Sequence, residues 1–244
     1  MNQEIIETQD LRYACAMAVA VMTSSTRVGR LLGEPGTGKT AATLHLASLP
    51  PAALSARMVV RICCRRGQTE SALARKIAEC LGVMGKGSTD AIINACEKPA
   101  DGVLFIFDEA NHLRWQHLER LRYLSDECGA GILLVGTDLL QRTFIDGRNA
   151  AYLAQLSRRI GTRQVRMGRM DVKQTAAYVL QPRFGAGVPQ PLAKQFHSAT
   201  KGYWGESIEL AEGCQRVMTA NGVSFNADAL SAAIKDLADR RAAA

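Results

Sequence analysis

The 244-residue sequence predicts an α/β fold, a mostly parallel five-stranded sheet with helices on both faces, followed by an all-helical tail. Three observations point there. Short apolar runs alternate with helix-period segments as far as Met167, the rhythm of strand–helix–strand units. Val103–Phe107 is apolar throughout, as strands covered on both faces are. Beyond Gly168 only helical patterns remain.

Taken in order, an amphipathic helix is expected over Thr8–Met22, its Met and Ala residues facing a core. A first strand, Val28–Leu32, runs into Gly33–Glu34–Pro35–Gly36–Thr37–Gly38–Lys39–Thr40. Helix follows from Thr40 to Leu49 and stops at Pro50–Pro51, because proline has no N–H for the ladder and clashes with the preceding turn. Met58–Cys63 is a second strand, and helices follow over Thr69–Leu81 and Thr89–Glu97. Val103–Phe107, Ile132–Val135 and Gln164–Met167 complete the sheet. The tail reads as helices over Asp171–Leu180, Pro191–Thr200, Glu206–Ala220 and Asn226–Leu237. The expected organisation is a helical segment over 1–26, a nucleotide-binding α/β domain over 27–167 and a helical lid domain over 168–244.

Composition sets outer bounds. At 47% hydrophobic and 22% charged the chain holds enough apolar surface to build a core, which excludes wholesale disorder. The longest apolar run, Tyr13–Met22, is about half a membrane span, and Glu4, Glu7 and Asp10 stand where a secretory signal carries positive charge. A cytoplasmic protein that does not enter a membrane is expected. The seven cysteines form no CxxC pair and lack zinc-ligand spacing, so reduced, mostly buried thiols are expected. A net charge of +7 is compatible with an anionic partner without demanding one.

Gly33–x4–Gly38–Lys39–Thr40 matches the P-loop pattern between a strand and a helix. Each residue type has a physical reason. Glycines let the backbone approach phosphate oxygens and aim N–H groups at them, and the helix N-terminus adds its dipole. Lys39 is expected to reach the β- and γ-phosphates and the Thr40 hydroxyl to ligate Mg²⁺, with Glu34, Pro35, Gly36 and Thr37 completing the cradle. Asp108 and Glu109 stand directly after the third strand. Asp108 is expected to hold the Mg²⁺ shell and Glu109 to act as the base that activates water. An acidic pair of this kind favours hydrolysis over transfer to a small molecule. Thr137, after the fourth strand, is placed to bond the attacking water or the γ-phosphate. Arg158, with Arg159 second, stands before the fifth strand, where an arginine can act in trans on a neighbouring subunit's nucleotide.

Together the P-loop, Asp108–Glu109–Ala110, the stretch Leu134–Leu139 and the helical tail resemble AAA+ ATPases. The continuous run from Asp108 to Leu139 is similar to the DNA-transposition regulators, the family of the phage Mu B protein and the TnsC proteins, and Gly202–Tyr203–Trp204–Gly205 fits the start of that family's last lid helices. The resemblance covers roughly 27–222. It implies a protein that binds ATP with Mg²⁺ between neighbouring subunits and forms homo-oligomeric helical filaments on double-stranded DNA with little regard to sequence. It also implies recruitment and stimulation of a transposase, and release on ATP hydrolysis. ATP rather than GTP rests on the same likeness.

The sequence departs from the pattern in two places. The segment before Val28 is short, so DNA contact is expected from the ATPase domain itself, and Glu206 stands where lids of this class often carry a nucleotide-touching arginine. In such a fold the loops after the second strand and after Asp108–Glu109 would face DNA. The first brings Arg61, Arg65 and Arg66, then Arg75 and Lys76; the second brings Arg114, Arg120 and Arg122. Of these, Arg65, Arg66, Arg114 and Arg120 are the candidate phosphate contacts, suited to salt-dependent, sequence-poor binding. Trp115 reads first as a packing residue, and His112 and His117 as solvent-facing helix positions. Two other readings stay open: a helicase-loader or replication-initiator ATPase, and a nucleotide-gated scaffold that does not bind DNA. A small-molecule kinase is disfavoured by Glu109.

Overall fold

The computed structural model describes residues 6–145 and 150–242. The chain divides into two compact units: one of residues 9–34 and 39–167, the other of residues 6–8, 35–38 and the chain from Gly168 onward.

The larger unit contains α1 (Gln9–Thr23), β1 (Val28–Gly33), α2 (Lys39–Ser48), β2 (Met58–Cys63), α3 (Glu70–Cys80), α4 (Thr89–Ala95), α5 (Glu97–Ala100) and β3 (Val103–Asp108). It continues with α6 (Trp115–Asp126), β4 (Gly131–Gly136), α7 (Asp138–Ile145), α8 (Ala150–Ile160) and β5 (Gln164–Met167). All five expected strands are present, and they pair in parallel in the order β2-β3-β4-β1-β5. The three inner strands β3, β4 and β1 are buried along their whole length, whereas the edge strands β2 and β5 are partly exposed.

Strand alternation divides the core in two. Val28, Leu32, Phe105, Phe107, Ile132 and Leu134 point to one face, under residues of α3, α4, α6, α7 and α8 such as Leu73, Ile92, Leu118, Leu140 and Leu153. Leu31, Leu104, Ile106, Leu133 and Val135 point to the other, where α1 contributes Ala14, Met17, Ala18 and Met22 and α2 contributes Ala42 and Leu46. Both methionines of the first helix and its Ala14 and Ala18 are therefore core, as expected, while Ala16 is exposed. Two faces covered by helices explain why the inner strands read as unbroken apolar runs.

Helices α6, α7 and α8 come in addition to those expected from periodicity. His117 lies in α6 and differs from its expected exposed position, being only 3% exposed. Its Nδ1 accepts from the Arg114 N–H (3.2 Å) and its Nε2 meets the Gln68 carbonyl (3.0 Å), so both ring nitrogens have partners inside the fold. His112 is exposed. Trp115 is a packing residue, stacked on Tyr152 with ring centroids 4.5 Å apart.

In the second unit, α9 (Val172–Thr175) starts from a reciprocal cap between Asp171 and Gln174. A π-helical turn, Ala176–Leu180, follows and leads into α10 (Gln181–Phe184). The wide turn ends two residues before Pro182, which has no N–H to return to the preceding turn. Then come α11 (Gln190–Thr200), α12 (Trp204–Asn221) and α13 (Ala227–Ala242). Val179, Leu180, Phe196, Leu210, Cys214, Leu230 and neighbours form this unit's own core. Within the same unit the Gly205 N–H donates to the Gly36 carbonyl (3.1 Å). A Cβ on Gly38 would stand 3.4 Å from Trp204. Among the described residues, no helix is long and apolar enough to cross a membrane.

Candidate active site

Because the strands are parallel, their C-terminal ends share one edge of the sheet. There β1 ends at Gly33, β3 at Asp108 and β4 at Gly136. Insertion of β4 between β3 and β1 is the change of strand order at which open α/β sheets form ligand crevices. Gly36 (φ 80°) and Gly38 (φ 92°) take left-handed backbone angles, a conformation glycine adopts without steric cost.

Lys39 is the first residue of α2 and is 5% exposed. Its Nζ donates to the carbonyls of Gly33 (3.0 Å) and Glu34 (2.8 Å), so the ammonium is held against the loop it belongs to. Burial pulls its pKa below the ordinary lysine value, while the nearby carboxylates of Glu109, Asp108 and Asp138 act in the opposite direction. Thr40, one residue further on, is exposed.

Asp108 is 1% exposed. Its Oδ2 accepts from the Thr43 hydroxyl (3.0 Å) and from Arg61 Nη2 (2.6 Å), and its Oδ1 accepts from the Glu109 N–H (3.0 Å). This corrects the expectation for Arg61: it does not stand in a DNA-facing loop. Arg61 is in β2 opposite Ile106, so it shares the sheet face of Ile106 and Asp108 and reaches across to α2.

Glu109 takes left-handed backbone angles (φ 55°, ψ 37°), a costly conformation for a residue with a Cβ. The side chain of Asn111 ties it to the next strand: Nδ2 donates to Glu109 Oε2 (3.4 Å) and Oδ1 accepts from the Thr137 N–H (3.2 Å). A Cβ on Gly136 would stand 2.8 Å from Asn111 Oδ1, so the bridge passes over a position with no side chain. Asn111 and Thr43 are site residues that motif reading missed. The signals are faint: an amide two residues after the second acid, and a hydroxyl one helical turn after Thr40.

Mg²⁺ fits this donor set. The described residues contain no cluster of three or more His, Cys, Asp or Glu that could hold a metal. A phosphate-bound Mg²⁺ needs only one or two protein oxygens, because phosphates and waters supply the rest. The buried Asp108 carboxylate and the exposed Thr40 hydroxyl would be those oxygens.

The remaining candidates are scattered. Arg158 is exposed, whereas Arg159 donates through Nε to Asp126 on α6 (2.5 Å). Arg65, Arg66 and Arg114 are exposed. Arg120 is paired with Asp90 and Glu70, and Arg122 with Glu119 and Asp126. Next to the acids, Cys64 donates its backbone N–H to the Asp108 carbonyl, and burial pushes its thiol up to about 12, which disfavours the thiolate.

Comparison with known proteins agrees with this geometry. A family model described as AAA domain matches residues 22–144. A 53-residue stretch is 42% identical to the Mu-like prophage FluMu DNA transposition protein B of Haemophilus influenzae, covering 22% of this chain and 18% of that protein. The match thus spans less than a fifth of that relative's length. Among solved structures, the Thermotoga maritima RuvB Holliday junction branch migration motor superposes with a TM-score of 0.55 at 16% identity, over 95% of this chain and 70% of that one. A Walker-type ATPase of Pyrococcus abyssi gives 0.61 at 16%, over 96% and 72%. At such identities these two show the fold alone. The P-loop at the end of β1, the acids at the end of β3 and the matched family model together place the chain in the AAA domain family, with a P-loop NTPase fold.

Proposed function

We propose that the protein is a Mg²⁺-dependent ATPase that binds double-stranded DNA with little sequence preference, assembles on it as a homo-oligomer, and there recruits and stimulates a transposase. The observation that carries the reading is the 42% identity over 53 residues to a transposition protein, in a chain that belongs to the AAA domain family. In this reading the P-loop backbone and Lys39 hold the triphosphate. Thr40 and Asp108 hold Mg²⁺, which supplies charge neutralisation at the phosphates when bound. Glu109 takes the proton of the attacking water, and Asn111 fixes the carboxylate relative to Thr137. Arg158, exposed at the end of α8, serves a neighbouring subunit's nucleotide, in preference to Arg159, which is engaged with Asp126. Hydrolysis dismantles the assembly and releases the DNA.

Arg65, Arg66 and Arg114 are the DNA contacts in this reading, because they are exposed. Arg120 drops to a secondary position because Asp90 and Glu70 engage it. Phosphate contacts of this kind release counterions, so affinity should fall with salt.

The test is electron microscopy on long duplex DNA with a non-hydrolysable ATP analogue and without nucleotide, followed by filter binding across a salt series. Filaments should form only with nucleotide. The Arg65→Ala/Arg66→Ala double variant should flatten the log–log salt slope by about 2, close to one unit per lost phosphate contact. Discrete rings would point to a loader-type ATPase, and absence of DNA association at low salt to a scaffold.

A further inference from the structure

Arg61 has no place in the mechanism above, yet it makes the shortest contact to Asp108. Its Nη2 lies 2.6 Å from Asp108 Oδ2, and its Nε donates to Thr43 Oγ1 (2.8 Å), whose hydroxyl lies 3.0 Å from the same carboxylate oxygen. One planar guanidinium thus spans a strand and a helix and closes a three-membered network around a single oxygen. The two charges differ in exposure: the Asp108 side chain is 1% exposed and that of Arg61 is 21% exposed. A carboxylate so far from water is costly unless a charged partner accompanies it, while a cation at the rim keeps part of its hydration. The Glu109 N–H occupies Oδ1, so protein groups bond both oxygens of Asp108.

We propose that Arg61 is a positioning residue of the nucleotide site, the built-in counter-ion of Asp108, which holds that carboxylate aimed and charge-compensated when no divalent cation is bound. The proposal rests on the nucleotide-binding reading above. Its consequence is electrostatic. A triphosphate that arrives without Mg²⁺ meets a neutralised Asp108 rather than a bare negative charge. The guanidinium therefore narrows the difference in ATP affinity between metal-free and metal-loaded conditions. A lysine at 61 would carry the charge without the fork that reaches Thr43 and Asp108 together.

The experiment titrates a fluorescent ATP analogue in excess Mg²⁺ and in EDTA, with wild type, Arg61→Gln and Arg61→Lys. Arg61→Gln should weaken metal-free binding about tenfold, the low end of what an adjacent opposite charge does to a carboxylate's charge preference, and leave binding in Mg²⁺ nearly unchanged. Arg61→Lys should recover most of the metal-free affinity. Unchanged metal-free affinity in Arg61→Gln overturns the proposal. The same pair of titrations in an Asp108→Asn background separates charge compensation from direct phosphate contact. There Arg61→Gln should have little further effect, because the charge it balanced is gone; a second tenfold loss would mean that Arg61 touches the phosphates, and overturns the proposal. Should Arg61→Gln fail to fold while the double variant folds, as read by circular dichroism, the counter-ion role is supported; if neither folds, it is overturned. Wild type that binds the analogue under neither condition would remove the nucleotide-binding reading itself.

Discussion

Glu109→Gln should leave ATP binding intact and slow hydrolysis by about 10²-fold or more, the range for loss of a positioned general base. Glutamine has the size of glutamate and can keep a hydrogen bond to Asn111, but it has no basic oxygen to take the proton of water. The geometry supports a selective effect, because Glu109 contributes only its backbone N–H to Asp108, and that bond survives the change. With binding and hydrolysis uncoupled, the variant should accumulate in the ATP state and remain on DNA. Single-turnover hydrolysis together with dissociation from immobilised duplex checks both parts. Turnover at the wild-type rate would take Glu109 out of its role.

Lys39→Ala should abolish nucleotide binding and, with it, every nucleotide-dependent association with DNA. Lys39 is the cation at the loop, 5% exposed and held by the carbonyls of Gly33 and Glu34, within the influence of three carboxylates. Its removal leaves a site whose nearby charges are mostly negative, which repels a triphosphate. The loss should exceed that of removing one hydrogen bond to a charged group, about 1.5–3 kcal/mol. Calorimetric titration with ATP and Mg²⁺ reads it directly. Filaments that still depended on ATP in this variant would overturn the P-loop assignment. The two substitutions divide the site: one should stop binding, the other only turnover.

What could be read ahead of the structure was local and contiguous. The P-loop is eight consecutive residues whose chemistry is set by backbone freedom and one lysine. Asp108 and Glu109 follow an apolar strand at once, and the buried strands announce themselves because sheet faces covered by helices demand unbroken apolar runs. The five strands, the helical tail and the apolar side of α1 are legible for the same reason.

Side-chain partners across the fold could not be read that way. Arg61 resembles its neighbours Arg65 and Arg66 as a letter in a basic stretch, but strand alternation and the pairing of β2 with β3 turn it to the face of Asp108 and α2. His117 looks like a polar helix position and is buried because the Gln68 carbonyl and the Arg114 N–H lie within reach of its ring. Arg120 and Arg159 are equally basic on paper, and acids brought from other segments engage them: Glu70 and Asp90 the first, Asp126 the second. Asn111 acquires a role only because β4 lies beside β3 and brings Thr137 within reach of its amide. The sequence by itself therefore determined the kind of fold and the place of the P-loop and the acidic pair at strand ends, since both depend on spacing along the chain. Tertiary structure alone decided which charges are free and which are engaged, because an ion pair is set by distances through space that strand order and register create.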